Sequence, residues 1–494
     1  MCGFCGFSDK RSINDKKKII KDMSDRIIHR GPDSDGYYVD KNIAMGFRRL
    51  SIIDLKGGNQ PLYNEDKSVV VMFNGEIYNF MELRSDLEKL NHKFKTNSDT
   101  EVIVHGYEEY GTNIFNKLRG MFGIIIYDKN KNILVGARDY FGIKPFYYYN
   151  NDNLFMVGSE IKSFLSHPDF KKELNNKVLG LYLSYGTNHL EETFFKYTKK
   201  LKPGHYLIYK DGKVSTHAYH KLEYNKVNNS YEYYEKLVEE TLESSIKYHQ
   251  ISDVEVGSYL SGGVDSSYVV SMAKPNKTFT VGFKGKGFSE IDYAKSLSDH
   301  FNVKHYSKVI SGDEFFDYIP DITPYDLCKP YHDETKGEND VLRKMYIDLN
   351  FWLPNDILLK ADKMSMANSV ELRVPFLDKE VWNISKKLPT KYMVHDNQTK
   401  YIFRQVANKV IPTEWAKRKK LGFPVPFGNW IMEEKYYKKV KDMFNKDFVS
   451  TFFNKDKINE MLDNHYNNVL RNGKKIYTIY SFLIWYERFF ITEK

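Results

Sequence analysis

Cys2 stands directly behind the initiator methionine. Methionine is commonly trimmed when the next side chain is small, and trimming would put a thiol and a free α-amine on one residue. The amine titrates at about 7.7–8.0 and the thiol near about 8.5, so near neutrality the amine can take the thiol proton. One residue then carries nucleophile and base. On position alone, the alternative is a small hydrophobe at a chain terminus. Cys2-Gly3-Phe4-Cys5 also has C-x-x-C spacing. A zinc site would need a second ligand pair, and a redox pair would usually open a helix after a strand, so both readings rank lower.

A second chemical feature is Ser261-Gly-Gly-Val-Asp-Ser-Ser267, which follows an apolar strand and opens a helix. Gly262 and Gly263 let the backbone turn tightly, the helix start offers unpaired N–H groups, and Ser261, Ser266 and Ser267 add hydroxyl donors. That combination suits pyrophosphate. It is not the G-x-x-x-x-G-K-[ST] loop. Lys417, Arg418, Lys419 and Lys420 form the densest basic cluster, read either as a solvated face or as a phosphate contact.

The elements that must position these residues fall into two patterns. The first two hundred or so residues read mostly as strands and turns, with a hairpin from Gly123–Asp128 to Ile133–Arg138. A strand spans Ser68–Phe73 and ends at Asn74-Gly75, and Phe80–Leu90 and Thr100–Tyr110 have helical spacing. This predicts an α+β domain of packed sheets with flanking helices. After an amphipathic helix at Tyr233–Tyr248, the chain alternates: strand Val254–Leu260, helix Asp265–Ala273, strand Thr278–Phe283, helix Glu290–Phe301, strand Lys304–Ile310. That predicts a parallel α/β sheet, followed by a mostly helical tail. Asn225–Ser230 is the candidate junction.

At 494 residues the chain has room for two to four domains, and its net charge of +9 is interspersed rather than gathered into an arm. Nucleic-acid binding is therefore not expected. Three cysteines make no disulfide framework, which fits a reducing cytoplasm. No signal-peptide core is seen, and the longest apolar runs, such as Met121–Tyr127, are too short to span a bilayer.

The residue runs also resemble known families. Ser261–Ser267 resembles the pyrophosphate-binding loop of ATP pyrophosphatases. Met1-Cys2-Gly3, His29–Asp33, Arg49-Leu-Ser-Ile-Ile53, Asn74-Gly-Glu-Ile-Tyr-Asn79 and Ser98-Asp-Thr-Glu101 resemble a type II glutamine amidotransferase. With Gly120–Gly123, Arg138–Pro145, Ser159-Glu160, Lys360–Ala367, Val374–Asp378 and Lys420–Pro424, nearly the whole chain resembles glutamine-hydrolysing asparagine synthetase. The resemblance implies an αββα hydrolase domain at 2–218 and a doubly wound ATP pyrophosphatase domain at 231–494 with a helical C-terminal part.

It also implies roles. Cys2 would attack the glutamine side-chain amide to give a thioester and ammonia. Asn74 and the Gly75 N–H would form the oxyanion hole. Arg49, Ile53, Asn74, Gly75, Glu76 and Asp99 would bind glutamine, with Arg49 clamping the α-carboxylate and Glu76 and Asp99 the α-ammonium. ATP would meet Leu260, Ser261, Gly262, Gly263, Asp265, Ser266, Ser267, Val281 and Lys420, with Asp265 helping to hold Mg²⁺. Ammonia would pass inside the protein to a β-aspartyl-adenylate. Taken singly, Asn74-Gly75 is a turn, Arg49 a surface ion pair, and Asp99 a helix cap. His29 is read as fixing the Arg30–Asp33 turn. The implied partners are glutamine, aspartate and ATP, with a homodimer as the assembly such relatives often form.

One departure bears on function. The second nucleotide loop of such synthetases, a Ser-Gly-Glu-Gly-x-Asp-Glu run after an apolar strand, has no match here. The chain follows the family to about 321–330 and resumes near 343–348, so a stretch is absent near 330–342. A parallel sheet that lost a strand would expose an apolar edge and face. The alternative expectation is thus a glutaminase with a degenerate, inactive synthetase domain.

Overall fold

The computed structural model describes residues 2–9, 15–185, 188–283, 289–316, 334–335, 337–419 and 425–492. Its contacts divide the chain into two compact units. Unit 1 is Met1–Leu179, Asn188–Val256 and Tyr325–Phe403; unit 2 is Gly180–Thr187, Gly257–Pro324 and Arg404–Lys494.

Unit 1 is built on twelve strands: β1 (Gly3–Asp9), β2 (Ser34–Val39), β3 (Ala44–Arg49), β4 (Leu62–Tyr63), β5 (Val69–Ile77), β6 (Gly120–Asp128), β7 (Ile133–Arg138), β8 (Tyr147–Asn150), β9 (Leu154–Gly158), β10 (Thr198–Lys200), β11 (His205–Lys210) and β12 (Lys213–Ala218). They form two antiparallel six-stranded sheets, ordered β10-β8-β9-β1-β3-β2 and β12-β11-β7-β6-β5-β4. Helices α1 (Lys16–Asp25), α2 (Phe80–Lys89) and α3 (Glu101–Tyr110) flank them.

Strand alternation explains the layers. In β5, Val70 and Met72 join Phe4, Phe47 and Val157 in the core between the sheets. Val69, Val71 and Phe73 face the other way, onto Leu83, Leu87 and Val104 of α2 and α3. Strand β6 is buried on both faces, so its sequence is nearly continuously apolar rather than alternating. A third cluster packs Cys5, Phe7 and Phe164 on Ile20 and Met23 of α1. The stacking is the αββα arrangement expected.

Unit 1 also takes in α4 (Tyr231–Tyr248) and the segment around the helix Leu358–Met366. Ser230 caps α4 by accepting from the Tyr233 N–H, and Tyr234, Val238, Leu242, Ser245 and Ile246 form its buried face. Tyr78, Met121, Phe141 and Ile143 pack with Leu358 and Trp382. Buried ion pairs tie the late segment to the sandwich as well. Arg119 meets Asp378 at 2.8 Å, and Arg30 meets Asp362 at 2.8 Å.

Unit 2 contains a parallel sheet ordered β13 (Ser258–Tyr259), β14 (Lys277–Phe283), β15 (Lys304–Ile310). Helices α5 (Val264–Ala273) and α6 (Ile291–His300) connect the strands, and helices including Glu434–Phe444, Lys455–Tyr466 and Gly473–Tyr486 follow. The alternation is the one expected, but only two residues of Val254–Leu260 are laddered. Tyr259, Phe279 and Tyr306 lie in register across the three strands and remain 57%, 38% and 39% exposed. The opposite face of β14 buries Thr278 and Thr280. An aromatic ladder open to water is unusual for parallel strands, whose two faces are normally covered. Among the described residues, no helix is long and apolar enough to cross a membrane.

Candidate active site

Cys2 enters β1, and strand geometry settles the C-x-x-C question. Residues three apart on an extended chain point to opposite faces. Cys2 joins the core between the sheets, whereas Cys5 joins the cluster under α1. Both thiols are free, and their separation onto two faces leaves them unsuited to pairing. Burial pushes the Cys2 thiol up, and its sulfur donates to the Leu50 carbonyl at 3.7 Å. A buried thiol needs a base to become a nucleophile.

The Cys2 nitrogen donates to Asn74 Oδ1 at 3.2 Å. Asn74 is wholly buried, and its Nδ2 has no hydrogen-bond partner. A buried amide donor left without an acceptor costs roughly 1–3 kcal/mol, so it marks a place where a developing charge would be welcome. Asn74-Gly75 is not a turn. Strand β5 runs through it to Ile77, with Gly75 opposite Phe122. A Cβ on Gly75 would lie 1.9 Å from the Met121 carbonyl oxygen, so only glycine lets the strands close here.

Cys2, Arg49, Ile53, Gly75, Glu76 and Asp99 line one cleft of about 320 Å³, together with Gln60, Ser98 and Thr100. Arg49 is buried, not a surface ion pair. Its guanidinium donates to the carbonyls of Ile53, Asp54 and Leu55 and to Asn59 Oδ1, so it also fixes the loop that forms the cleft wall. Asp99 does not cap α3. Its carboxylate accepts the Ile77 N–H at 2.9 Å.

Two residues in the carboxylate cluster were not singled out from the sequence. Arg373 approaches Glu76 at 3.4 Å and Glu371 at 2.7 Å, and donates to the His249 and Ile251 carbonyls. Glu76, Asp99 and Glu371 are all buried around this one guanidinium. Burial pushes Asp99 up to about 7 and Glu76 well above the carboxylate range. At Glu371 burial is outweighed by the surrounding positive charge, Arg373 included, and its carboxyl is held at about 2. The cluster therefore favours one more cation, which an amino acid's α-ammonium would supply. The available signal was Glu371-Leu-Arg373 before Val374-Pro375. An extended chain before proline puts residues two apart on one face.

Behind Cys2, Arg30 is fully buried. It donates to the Cys2 carbonyl at 3.1 Å, to Glu160 at 2.9 Å and through two nitrogens to Asp362 at 2.8 and 3.1 Å. His29 lies beside Glu160 at 2.9 Å and Lys162 at 3.0 Å, part of the same frame rather than of the cleft.

In unit 2, Gly262 has φ of +69°, and a Cβ there would lie 2.8 Å from Tyr293 Cβ. Ser261 and Ser266 bond each other at 3.1 Å, and Ser261 Oγ accepts the Gly263 N–H. Ser267 is buried, and its Oγ has no hydrogen-bond partner. Asp265 lies in the first turn of α5, half-buried. Leu260, just past β13, is buried, and Val281 on the neighbouring β14 is half-buried. Of the basic cluster, Arg418 reaches this loop. It points at the Ser261 carbonyl at 3.5 Å, pairs with Glu290 at 2.9 Å and lies over Tyr293. Lys420, expected to meet ATP, lies outside the described residues.

The sandwich with Cys2 leading into its first strand belongs to a recognised class: a glutamine amidotransferase domain matches residues 1–220. An asparagine synthase domain matches residues 237–336 and 324–487. Asparagine synthetase [glutamine-hydrolyzing] 1 of Bacillus subtilis is 33% identical, covering 98% of this chain and 96% of the relative. A putative asparagine synthetase [glutamine-hydrolyzing] of Mycobacterium tuberculosis is 27% identical, covering 96% and 94%. The chain belongs to the glutamine-hydrolysing asparagine synthetase family. The first alignment spans 612 positions, longer than the 494-residue chain, so the relative carries residues with no counterpart here. The two stretches of the synthase match meet at 324–336.

Proposed function

We propose the following chemistry for the chain as a glutamine-dependent asparagine synthetase, a carbon–nitrogen ligase. Glutamine binds in the unit 1 cleft. Arg49 and the loop it orders, including Ile53, receive its α-carboxylate, while Glu76 and Asp99 receive its α-ammonium. With Met1 removed, the Cys2 amine takes the thiol proton, and the sulfur attacks the side-chain amide. Asn74 Nδ2 and the Gly75 N–H stabilise the tetrahedral oxyanion, ammonia leaves, and water releases glutamate from the thioester. The observation that carries this reading is the buried, unpartnered Asn74 Nδ2 beside Cys2.

In the second half-reaction, ATP would occupy the loop Ser261, Gly262, Gly263, Asp265, Ser266 and Ser267, bordered by Leu260, Val281 and Lys420. The unpartnered Ser267 hydroxyl and the half-buried Asp265 fit a phosphate group and its cation. Mg²⁺ held with the help of Asp265 would neutralise phosphate charge. Aspartate activated as its β-aspartyl-adenylate would accept the ammonia, conveyed inside the protein. Domains at 2–218 and 231–494, cytoplasmic residence and a homodimer complete the proposal. One reaction assayed for both glutamate and asparagine tests it. Asparagine should form only with aspartate, ATP, Mg²⁺ and a nitrogen source, and Cys2→Ala should keep ammonia-dependent synthesis alone. No asparagine from either nitrogen source would reject it.

A second reading, a glutaminase with an inactive synthetase half, is favoured by the relative's unmatched residues and the open Tyr259–Phe279–Tyr306 ladder. It expects glutamate release indifferent to aspartate and no pyrophosphate. Aspartate-dependent pyrophosphate would eliminate it.

A further inference from the structure

We propose that Glu65, His92, His105 and Glu108 form a binding site for one divalent transition-metal ion of the zinc class, away from the glutamine cleft. One ligand atom from each lies within 4.8 Å of all the others. Glu65 follows β4, His92 lies in the α2–α3 connection, and His105 and Glu108 share one face of α3 at i, i+3. Glu65 reaches both rings, with one carboxylate oxygen 3.2 Å from His105 Nδ1 and the other 3.3 Å from His92 Nδ1. Glu108 is 3.9 Å from His92 Nδ1. Tetrahedral zinc, with bonds of about 2.0–2.2 Å, holds its ligand atoms about 3.3–3.5 Å apart. The two Glu65–histidine contacts are at that spacing, and the full set, within 4.8 Å, needs to contract by about 1 Å to close on an ion.

The outer contacts point the same way. Each histidine turns Nδ1 inward and Nε2 toward a further carboxylate: Glu101 at 3.5 Å behind His105, Glu109 at 3.5 Å behind His92. A carboxylate on the far side of each ring would accept its Nε2–H once an ion draws the ring in, leaving the Nδ1 lone pair for the metal. His105 is only 1% exposed, yet neither ring nitrogen has a partner in hydrogen-bond geometry. In that tautomer, two lone pairs face carboxylate oxygens, which is repulsive unless a cation lies among them. Glu65 and Glu108 are exposed at the surface, which gives an ion a way in. Two histidines and two carboxylates suit Zn²⁺ better than the oxygen-only preference of Mg²⁺.

Chelator-treated full-length protein titrated with Zn²⁺ by calorimetry, and with Co²⁺ by visible absorption, tests the site. The expected result is one tight equivalent per chain, a tetrahedral Co²⁺ spectrum without thiolate charge-transfer bands, and a higher melting temperature reversed by chelator. His92→Ala and Glu108→Ala, both near the surface, should abolish that equivalent. Glu109→Gln should weaken it about 10–100-fold. No stoichiometric binding would overturn the proposal and leave a protonated histidine–carboxylate network. Binding undiminished in His92→Ala and Glu108→Ala, or a thiolate spectrum, would overturn it by assigning the metal to cysteine.

Discussion

Replacing Asp362 with alanine removes a carboxylate that grips Arg30 through two bonds, with both side chains almost wholly shielded from water. At an effective dielectric of about 20, unit charges at the observed 2.8 Å attract by roughly 6 kcal/mol. Deleting the carboxylate also relieves several kcal/mol of its own desolvation. Arg30 retains Glu160 at 2.9 Å, so it is not stranded. The net loss should be about 3 kcal/mol, the low end of the ~3–5 kcal/mol typical for breaking a buried pair. Because the chain holds two compact units, a global melting curve would mix transitions. The urea midpoint of glutaminase activity reports on unit 1 alone. In a cycle with Arg30→Met and Asp362→Leu, the double variant should cost at least about 2 kcal/mol less than the summed singles. Costs that add to within about 0.5 kcal/mol would refute the coupling.

Asn74→Ala should lower glutaminase kcat by about 10²–10³-fold with little change in KM, read by glutamate release; an unchanged kcat would remove Asn74 from the oxyanion hole. Glutamine affinity, measured by calorimetry on Cys2→Ala to silence the thiol, should tighten as pH rises through about 7. Asp99, raised by burial, is protonated below that pH and charged above it. The same shift means the folded protein holds a proton that the unfolded chain has released between about pH 4 and 7, so that carboxyl's contribution to stability falls as pH rises through the window. A dissociation constant flat across neutrality, or the same slope in Asp99→Asn, would count against Asp99. Arg418→Ala should raise the KM for ATP in aspartate-dependent pyrophosphate release while glutaminase turnover stays at the parent value; an unaltered KM would make Arg418 only a brace for Tyr293 and Glu290.

Local pattern carried the sequence reading as far as local forces decide. The βαβαβ alternation and the amphipathic face of α4 follow from periodicity, and the structure places them within a few residues of expectation. Asn74-Gly75 shows where that reasoning stops. In isolation the pair favours a turn, but it is flanked by buried β-formers and laddered against β6, and pairing overrides local preference. The strand expected over Val254–Leu260 shrinks to two residues for the converse reason. Val254 is exposed, and a strand without a partner along its length has no ladder to join. The extended Glu371-Leu-Arg373 run signals a shared face, but not that its partner is Glu76, nearly three hundred positions away in sequence.

That long-range cluster changes how the two halves of the family pattern relate in this protein. The amidotransferase match ends at residue 220, yet Glu76 on the cleft wall pairs with Arg373, and the frame behind Cys2 takes a carboxylate from Asp362. Both belong to the asparagine synthase match and to unit 1. Glu76 and Asp99 buried without Arg373 would be a cluster of like charges with nothing to offset them, a state proteins avoid by protonation or exposure. The carboxylates at the proposed glutamine cleft are thus offset by a residue of the other match. The segment from 337 to 403 packs in unit 1, while the parallel sheet of unit 2 carries the exposed aromatic ladder. Retention of that segment follows from the needs of the cleft alone, so its presence is no argument that the synthetase step is intact.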